Sequence, residues 1–116
     1  MIIYNVTAKI EHSIEEDWLQ WMKSKHIPDV LKTGYFSGHR LSRVMSLRDT
    51  DGVTYAIEYH CASTADLHQY EVKCAGPLRK EYQERYEGKY VTFRSIMEVV
   101  ENYVHQSAVN QQLTSK

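Results

Sequence analysis

Two kinds of hydrophobic spacing alternate along this chain, and their order restricts its fold more than any other feature. From Ile2 to Ile10 the period is two, with Tyr4, Val6, Ala8 and Ile10 on one side and Asn5, Thr7 and Lys9 on the other, which predicts a strand. Ile14, Trp18, Trp21 and Met22 then recur at helical spacing, with Leu19 and His26 on the flank of the stripe. Tyr35 to Leu47 predicts a second strand, interrupted by Gly38 and several polar residues. The run Arg48-Asp49-Thr50-Asp51-Gly52 predicts a turn, and Val53 to Cys61 the cleanest strand. Leu67, Tyr70, Cys74 and Leu78 return to helical spacing, and Val91, Phe93, Met97 and Val99 define a last strand. The order is strand, helix, strand, strand, helix, strand. It predicts an α+β, ferredoxin-like βαββαβ domain, an antiparallel sheet with helices on one face.

Helix ends are marked by specific residues. Ser13 with Glu16 predicts a capping box, and Glu15, Glu16 and Asp17 suit the positive end of a helix dipole. Pro28 cannot donate a backbone hydrogen bond, and its ring disfavours a helical Ile27, so the first helix is expected to end near His26. A short helical piece from Pro28 then closes at Thr33-Gly34. Ser63 with Asp66 predicts the start of the later helix, which Gly76-Pro77 must break or bend before a last piece reaches Gly88. Residues 1–100 read as one domain, and 101–116 as a polar, flexible tail.

A sheet covered on one face leaves the other bare. The strands here carry apolar residues on both sides, Ile3, Leu41, Met45, Ala56 and Ile96 among them. A bare, partly apolar face predicts an interaction surface, and two such sheets face to face would close a two-fold dimer. With 14 Lys and Arg against 15 Asp and Glu, the chain lacks the basic excess that nucleic-acid binding requires. No run of about 18 apolar residues is present, so no membrane span is expected. Cys61 and Cys74 form no Cys-x-x-Cys pair, and no signal-peptide pattern precedes them; a cytoplasmic protein with reduced thiols is the expectation.

His26 is the strongest candidate for chemistry. Trp18, Met22 and His26 form an i, i+4, i+8 ridge, so the imidazole extends the apolar stripe to the helix end. A partly buried imidazole can titrate near neutrality, as a general base must. The helix C-terminus favours its protonated form and burial the neutral one, and the same residue could simply cap the last carbonyls. Nine tyrosines offer apolar walls with hydroxyl handles, and Tyr4, Tyr55 and Tyr59, with Trp18, are the candidate ligand-binding residues; Tyr82 offers a further hydroxyl. Tyrosine equally suits half-buried strands and dimer seams. Glu58, His60, Arg94, Asn5 and Thr7 place polar groups on strand faces, where they meet one another, a ligand or water. The six histidines form no His-x-His or His-x-x-x-His pair, and the Asp49-x-Asp51-Gly52 fragment lacks the remaining ligands of a calcium loop. No metal and no cofactor is expected.

The segments Met1-Ile2-Ile3-Tyr4-Asn5-Val6-Thr7, Trp18-Leu19-Gln20-Trp21-Met22 and His26-Ile27-Pro28-Asp29-Val30-Leu31 resemble a family of short bacterial proteins known only as a domain of unknown function. Gly52-Val53-Thr54-Tyr55-Ala56, Glu84-Arg85-Tyr86 and Phe93-Arg94 to Glu98-Val99 extend the likeness. It implies a dimeric α/β barrel and no established activity. More distantly, Trp21-Met22 followed by His26-Ile27-Pro28 is similar to the ethyl tert-butyl ether degradation protein group. The fold so implied also hosts antibiotic-biosynthesis monooxygenases, muconolactone isomerase and sugar mutarotases, often with a pocket between sheet and helices. The resemblance and the residues leave two functional readings. One is a cofactor-independent oxygenase or isomerase acting on a small organic molecule, with His26 as base. The other is a non-catalytic small-ligand-binding or assembly module. Both are expected to work as homodimers.

Overall fold

A computed structural model describes residues 1–45 and 51–104. Strand β1 (Ile2–Ile10) leads through a 3-10 turn (His12–Ile14) into helix α1 (Glu15–Trp21). A π turn (Met22–His26) joins α1 to helix α2 (Ile27–Lys32). Strands β2 (Gly38–Arg43) and β3 (Val53–Cys61) come next, then helices α3 (Thr64–Lys73) and α4 (Ala75–Tyr86), and strand β4 (Tyr90–Glu98). The sheet runs β2-β3-β1-β4, every pair antiparallel. This is the ferredoxin-like α+β fold.

Register decides which side chains meet. Tyr4 stands opposite Tyr59 and Ile96, and Val6 opposite Ile57 and Arg94. Residues directly opposite in an antiparallel pair share a face. Tyr4, Val6, Ile57, Tyr59 and Arg94 therefore all point toward the helices. The core lies between that face and the helices, around Ile10, Trp18, Met22, Ile27, Val30 and Ile57. Trp18 and Met22 enter it from one ridge of the first helical segment, as their spacing predicts.

Tyr86 donates its hydroxyl hydrogen bond to Asp17 at 2.7 Å, and the Arg85 guanidinium lies 5.4 Å from the Trp21 ring centroid. These two contacts tie α4 to α1. Gly52 lies so near β1 that an added Cβ would fall 2.6 Å from the Ile10 carbonyl oxygen. No side chain fits there without a backbone shift.

Several local expectations need correction. Ser13 caps nothing: it sits inside the 3-10 turn, and no side-chain cap bond forms at either Glu11 or Ile14. Ile27 stays helical, with φ −62° and ψ −46°, so the chain does not break at Pro28. The π turn explains this: the Ile27 N–H reaches back five residues to Met22, just before the proline that offers no N–H to Ser24. Among the described residues the second strand is Gly38–Arg43, beginning three residues after Tyr35 and ending before Val44, and residues 46–47 of the expected span lie outside the described residues. Leu41 and Ile96 face the helices, and Met45 lies beyond β2, so the outer apolar surface comes from Ile3, Ala56, Val91, Phe93 and Met97. Val91, Phe93 and Met97, expected to define the last strand, thus line its uncovered side, where Val91 is 69% and Phe93 62% exposed, and Val99 lies beyond the end of β4.

Other marks act where expected. Gly34 takes φ +87° after α2, and the Ser63 hydroxyl accepts the Asp66 N–H. The break expected at Gly76-Pro77 instead falls at Cys74, and both of those residues lie in the first turn of α4. The Arg48–Thr50 part of the turn and the 105–116 part of the tail lie outside the described residues. No helix among the described residues is long and apolar enough to cross a membrane.

Candidate functional site

A cavity of about 350 Å³ lies between the sheet and the helices, near the small end of the roughly 300–1,000 Å³ typical of ligand sites. The sheet supplies Val6, Ile57, Thr92 and Tyr90 as one wall. Met22, His26 and Val30 from the first helical segment face it, with Leu78, Arg79, Tyr82 and Gln83 from α4. Tyr4, Tyr59, Tyr70 and Arg94 complete the lining. The strand period places Tyr4, Val6, Ile57 and Tyr59 there, and the ridge of the first helical segment places Met22.

His26 arrives by a different route. It is the last residue of the π turn, its ring stacks on Trp21 at 5.0 Å, and Tyr82 meets it edge-on at 5.4 Å. Its Nδ1 is shielded from solvent and has no hydrogen-bond partner among the described residues. Burial pushes the imidazole down to about 4. Asp29 opposes that shift, while the positive charges of Lys25 and Arg94 add to it. At pH 7 His26 is therefore a neutral base inside an aromatic enclosure. It caps no helix end, because the helix continues through it.

Two arginines meet at one phenol. Arg79 Nη2 donates to the Tyr4 hydroxyl at 2.8 Å and Arg94 Nε donates to it at 2.9 Å. Arg79 also donates to Glu71 at 2.6 Å. Burial works against the charge on Arg79, but the bonds to Glu71 and Tyr4 outweigh it and hold the guanidinium above its usual range. No carboxylate among the described residues pairs with Arg94, and the cavity lining holds no Asp or Glu. Burial raises the hydroxyls of Tyr59, Tyr70 and Tyr82 well above the ordinary tyrosine range, so these walls are neutral phenols.

Of the residues singled out from sequence, His26, Tyr4 and Tyr59 come together around this space, and Trp18 and Tyr55 do not line it. Trp18 is fully buried and donates its indole N–H to Tyr82 at 2.7 Å. It positions a wall residue from behind. Tyr55 spends its hydroxyl on Glu15 and accepts from Arg43 at 3.0 Å. Glu58, His60, Asn5 and Thr7 sit on the outer face, where the Asn5 amide donates to Thr7 at 3.0 Å. Tyr70, Arg79 and Gln83 were not singled out, and Arg94 only as one polar residue among several on strand faces. Arg94 had a signal, a charge among the alternate residues Tyr90, Thr92 and Ile96, but the apolar Val91 and Phe93 beside it obscured which face was the inner one.

Comparison with known proteins places these features in context. No curated protein matches the sequence. Among solved structures, SnoaB, a cofactor-independent oxygenase from Streptomyces nogalater, is 12% identical, with 87% of this chain and 95% of that chain covered and a TM-score of 0.62. An ethyl tert-butyl ether degradation family protein from Bacillus halodurans is 13% identical over 86% of this chain and 100% of that one, at 0.61. A dimeric ferredoxin-like protein from an uncultured marine organism is 14% identical over 90% and 100%, at 0.60. At these identities the likeness is one of fold. A family model described as a domain of unknown function, DUF4286, matches residues 1–100.

Proposed function

The chain belongs to the DUF4286 family, and because that description assigns no activity, we propose a function from the cavity itself: a cofactor-independent enzyme of the oxygenase or isomerase type, acting on a small organic molecule with His26 as base. The observation that carries the reading is the His26 side chain, held neutral at pH 7 by burial and set in the wall of an aromatic cavity. A general base needs an unprotonated acceptor within reach of an acidic C–H or O–H. Withdrawing that proton leaves an electron-rich carbon or oxygen. An isomerase returns the proton to another atom of the same molecule, and an oxygenase passes the electrons to dioxygen. The description of SnoaB as a cofactor-independent oxygenase supports the chemistry at the level of fold.

The test is turnover of a panel of enolisable carbonyl compounds and phenols, monitored by oxygen consumption and by proton exchange. His26→Gln is expected to lower turnover at least ~100-fold with the melting temperature retained. Unchanged turnover in that variant overturns the reading. The alternative, a non-catalytic ligand-binding or assembly module, has its own support in the uncovered apolar sheet face. It predicts that His26→Ala lowers thermal stability and alters no reaction.

The same sheet face leads us to propose that the protein works as a homodimer, two copies packing sheet to sheet, and its two free cysteines that it does so in the cytoplasm. Ile3, Val91, Phe93 and Met97 offer the apolar area, and one ferredoxin-like structural neighbour is described as dimeric. Light scattering at micromolar concentration is expected to give twice the 13.6 kDa chain mass.

A further inference from the structure

The unused hydrogen-bond donors of the cavity have a consistent sign. A phenol carries one O–H and two acceptor lone pairs. Tyr4 accepts from both Arg79 and Arg94, so its oxygen is engaged as acceptor on both sides, and its own O–H has no acceptor among the described residues. Arg94 uses only Nε in that contact, which leaves its two terminal nitrogens free of any partner among the described residues. Glu71 balances Arg79; nothing in the lining balances Arg94. A group with surplus acceptors and one negative charge is what this corner lacks.

We propose that Arg94 and Tyr4 form an anion-recognition site, and that the cavity takes a flat aromatic or unsaturated monocarboxylate. The carboxylate accepts from the free edge of the Arg94 guanidinium and from the Tyr4 hydroxyl, the planar fork suiting two oxygens at once. The remainder of the molecule lies among Tyr59, Tyr70, Tyr82 and Tyr90, whose rings favour a flat apolar body. Arg94 is exposed at the cavity rim and Tyr4 is buried beside it. The anion thus meets Arg94 in water first and is then drawn against Tyr4. One charge is specified because Arg94 alone is unbalanced. A dianion would leave a second charge unmatched near neutral phenols, where burial is costly.

The inference rests on the same cavity being a ligand site, but not on His26 acting as base. Its test therefore measures binding without turnover. Calorimetry with 2-naphthoate and with its neutral amide, 2-naphthamide, reads the charge preference directly. The wild-type protein is expected to bind the acid at least tenfold more tightly than the amide. Arg94→Gln should erase that preference, and Arg94→Lys should restore part of it. Lys80→Gln, which removes the same charge from the exposed side of α4, should keep it whole. Equal affinity for acid and amide, no detectable binding of the acid, or a preference that survives in Arg94→Gln overturns the proposal. Because Arg94 is exposed, melting temperatures of its variants should stay near wild type and separate lost recognition from lost folding. A charge preference that persists alongside full turnover in His26→Gln would remove the base and leave the anion site standing.

Discussion

At the scale of single residues, the most consequential feature is an imidazole that folding keeps neutral. Folding holds His26 at about 4, against 6.5 for an unperturbed side chain, mainly by burial, with Lys25 and Arg94 adding to the shift and Asp29 resisting it. The unfolded chain therefore binds a proton that the folded chain refuses between those values. Stability from this residue is complete above about pH 6.5 and falls as the pH drops toward 4. At about 1.4 kcal/mol per tenfold change, the loss between pH 7 and pH 4.5 approaches about 2 kcal/mol. Carboxylates titrate over the same range, so the measurement is a comparison. Urea unfolding of wild type and His26→Phe at the two pH values should show wild type losing about 2 kcal/mol more than the variant. Equal losses would mean that His26 is not held neutral by the fold. The ridge of Trp18 and Met22 was legible in the sequence because i, i+4 spacing needs no tertiary knowledge, whereas His26 reaches the cavity through the π turn and not as the third member of that ridge. The meeting of Arg79 and Arg94 at Tyr4 was not legible, since 75 and 90 residues separate each arginine from the phenol.

At the scale of elements, the widened turn before Pro28 does more than absorb a proline. An extra residue in one turn rotates the downstream helix by about 100° relative to a regular one. His26 ends that turn, so its stacking on Trp21 and its place in the cavity depend on the π geometry. Pro28→Ala supplies the missing N–H to the Ser24 carbonyl and allows a regular helix to run through. The expected outcome is a protein as stable as wild type or more so, in which His26 has turned out of its enclosure. An NMR titration of the imidazole should then show its pKa moving up from about 4 toward 6.5. A pKa that stays near 4 would detach the turn from the site. The sequence marked Pro28 as a disturbance but suggested the wrong remedy. Proline rules describe regular helices, and a π turn becomes visible only when the carbonyl partners are known. The alternation of β1 and β3 was legible throughout, because one face of each is buried against helices. β4 misled for the opposite reason: apolar Val91, Phe93 and Met97 lie on the uncovered side.

At the scale of the whole molecule, that uncovered side is the largest unmet demand of the fold. Helices cover one face of the four-stranded sheet. The other carries Ile3 from β1, Val91, Phe93 and Met97 from β4, and Ala56 from β3, with Asn5, Thr7, Glu58 and Arg40 between them. Phe93, 62% exposed, stands opposite Thr7 of β1, in the middle of the edge strand β4 and not at a loop tip. An isolated exposed apolar residue is ordinary, but several on one continuous surface are the mark of an interface. The proposed dimer buries this surface against itself, with the same residues contributed by both copies. Phe93→Glu is therefore a strong perturbation: across a two-fold axis it places two carboxylates in an apolar seam, where each lacks a counter-charge. The substitution leaves the cavity side of the sheet untouched, so the isolated subunit keeps Tyr4, His26 and Arg94 in place. Light scattering should show wild type at twice the chain mass and Phe93→Glu at the chain mass, with near-native far-UV circular dichroism. Two copies in both proteins would place the interface elsewhere, and one copy in both would remove the dimer. The comparison also determines whether the site needs a partner. A monomeric Phe93→Glu protein that still distinguishes 2-naphthoate from its amide has a cavity complete within one subunit, whereas loss of that preference on dissociation makes the second copy part of the site.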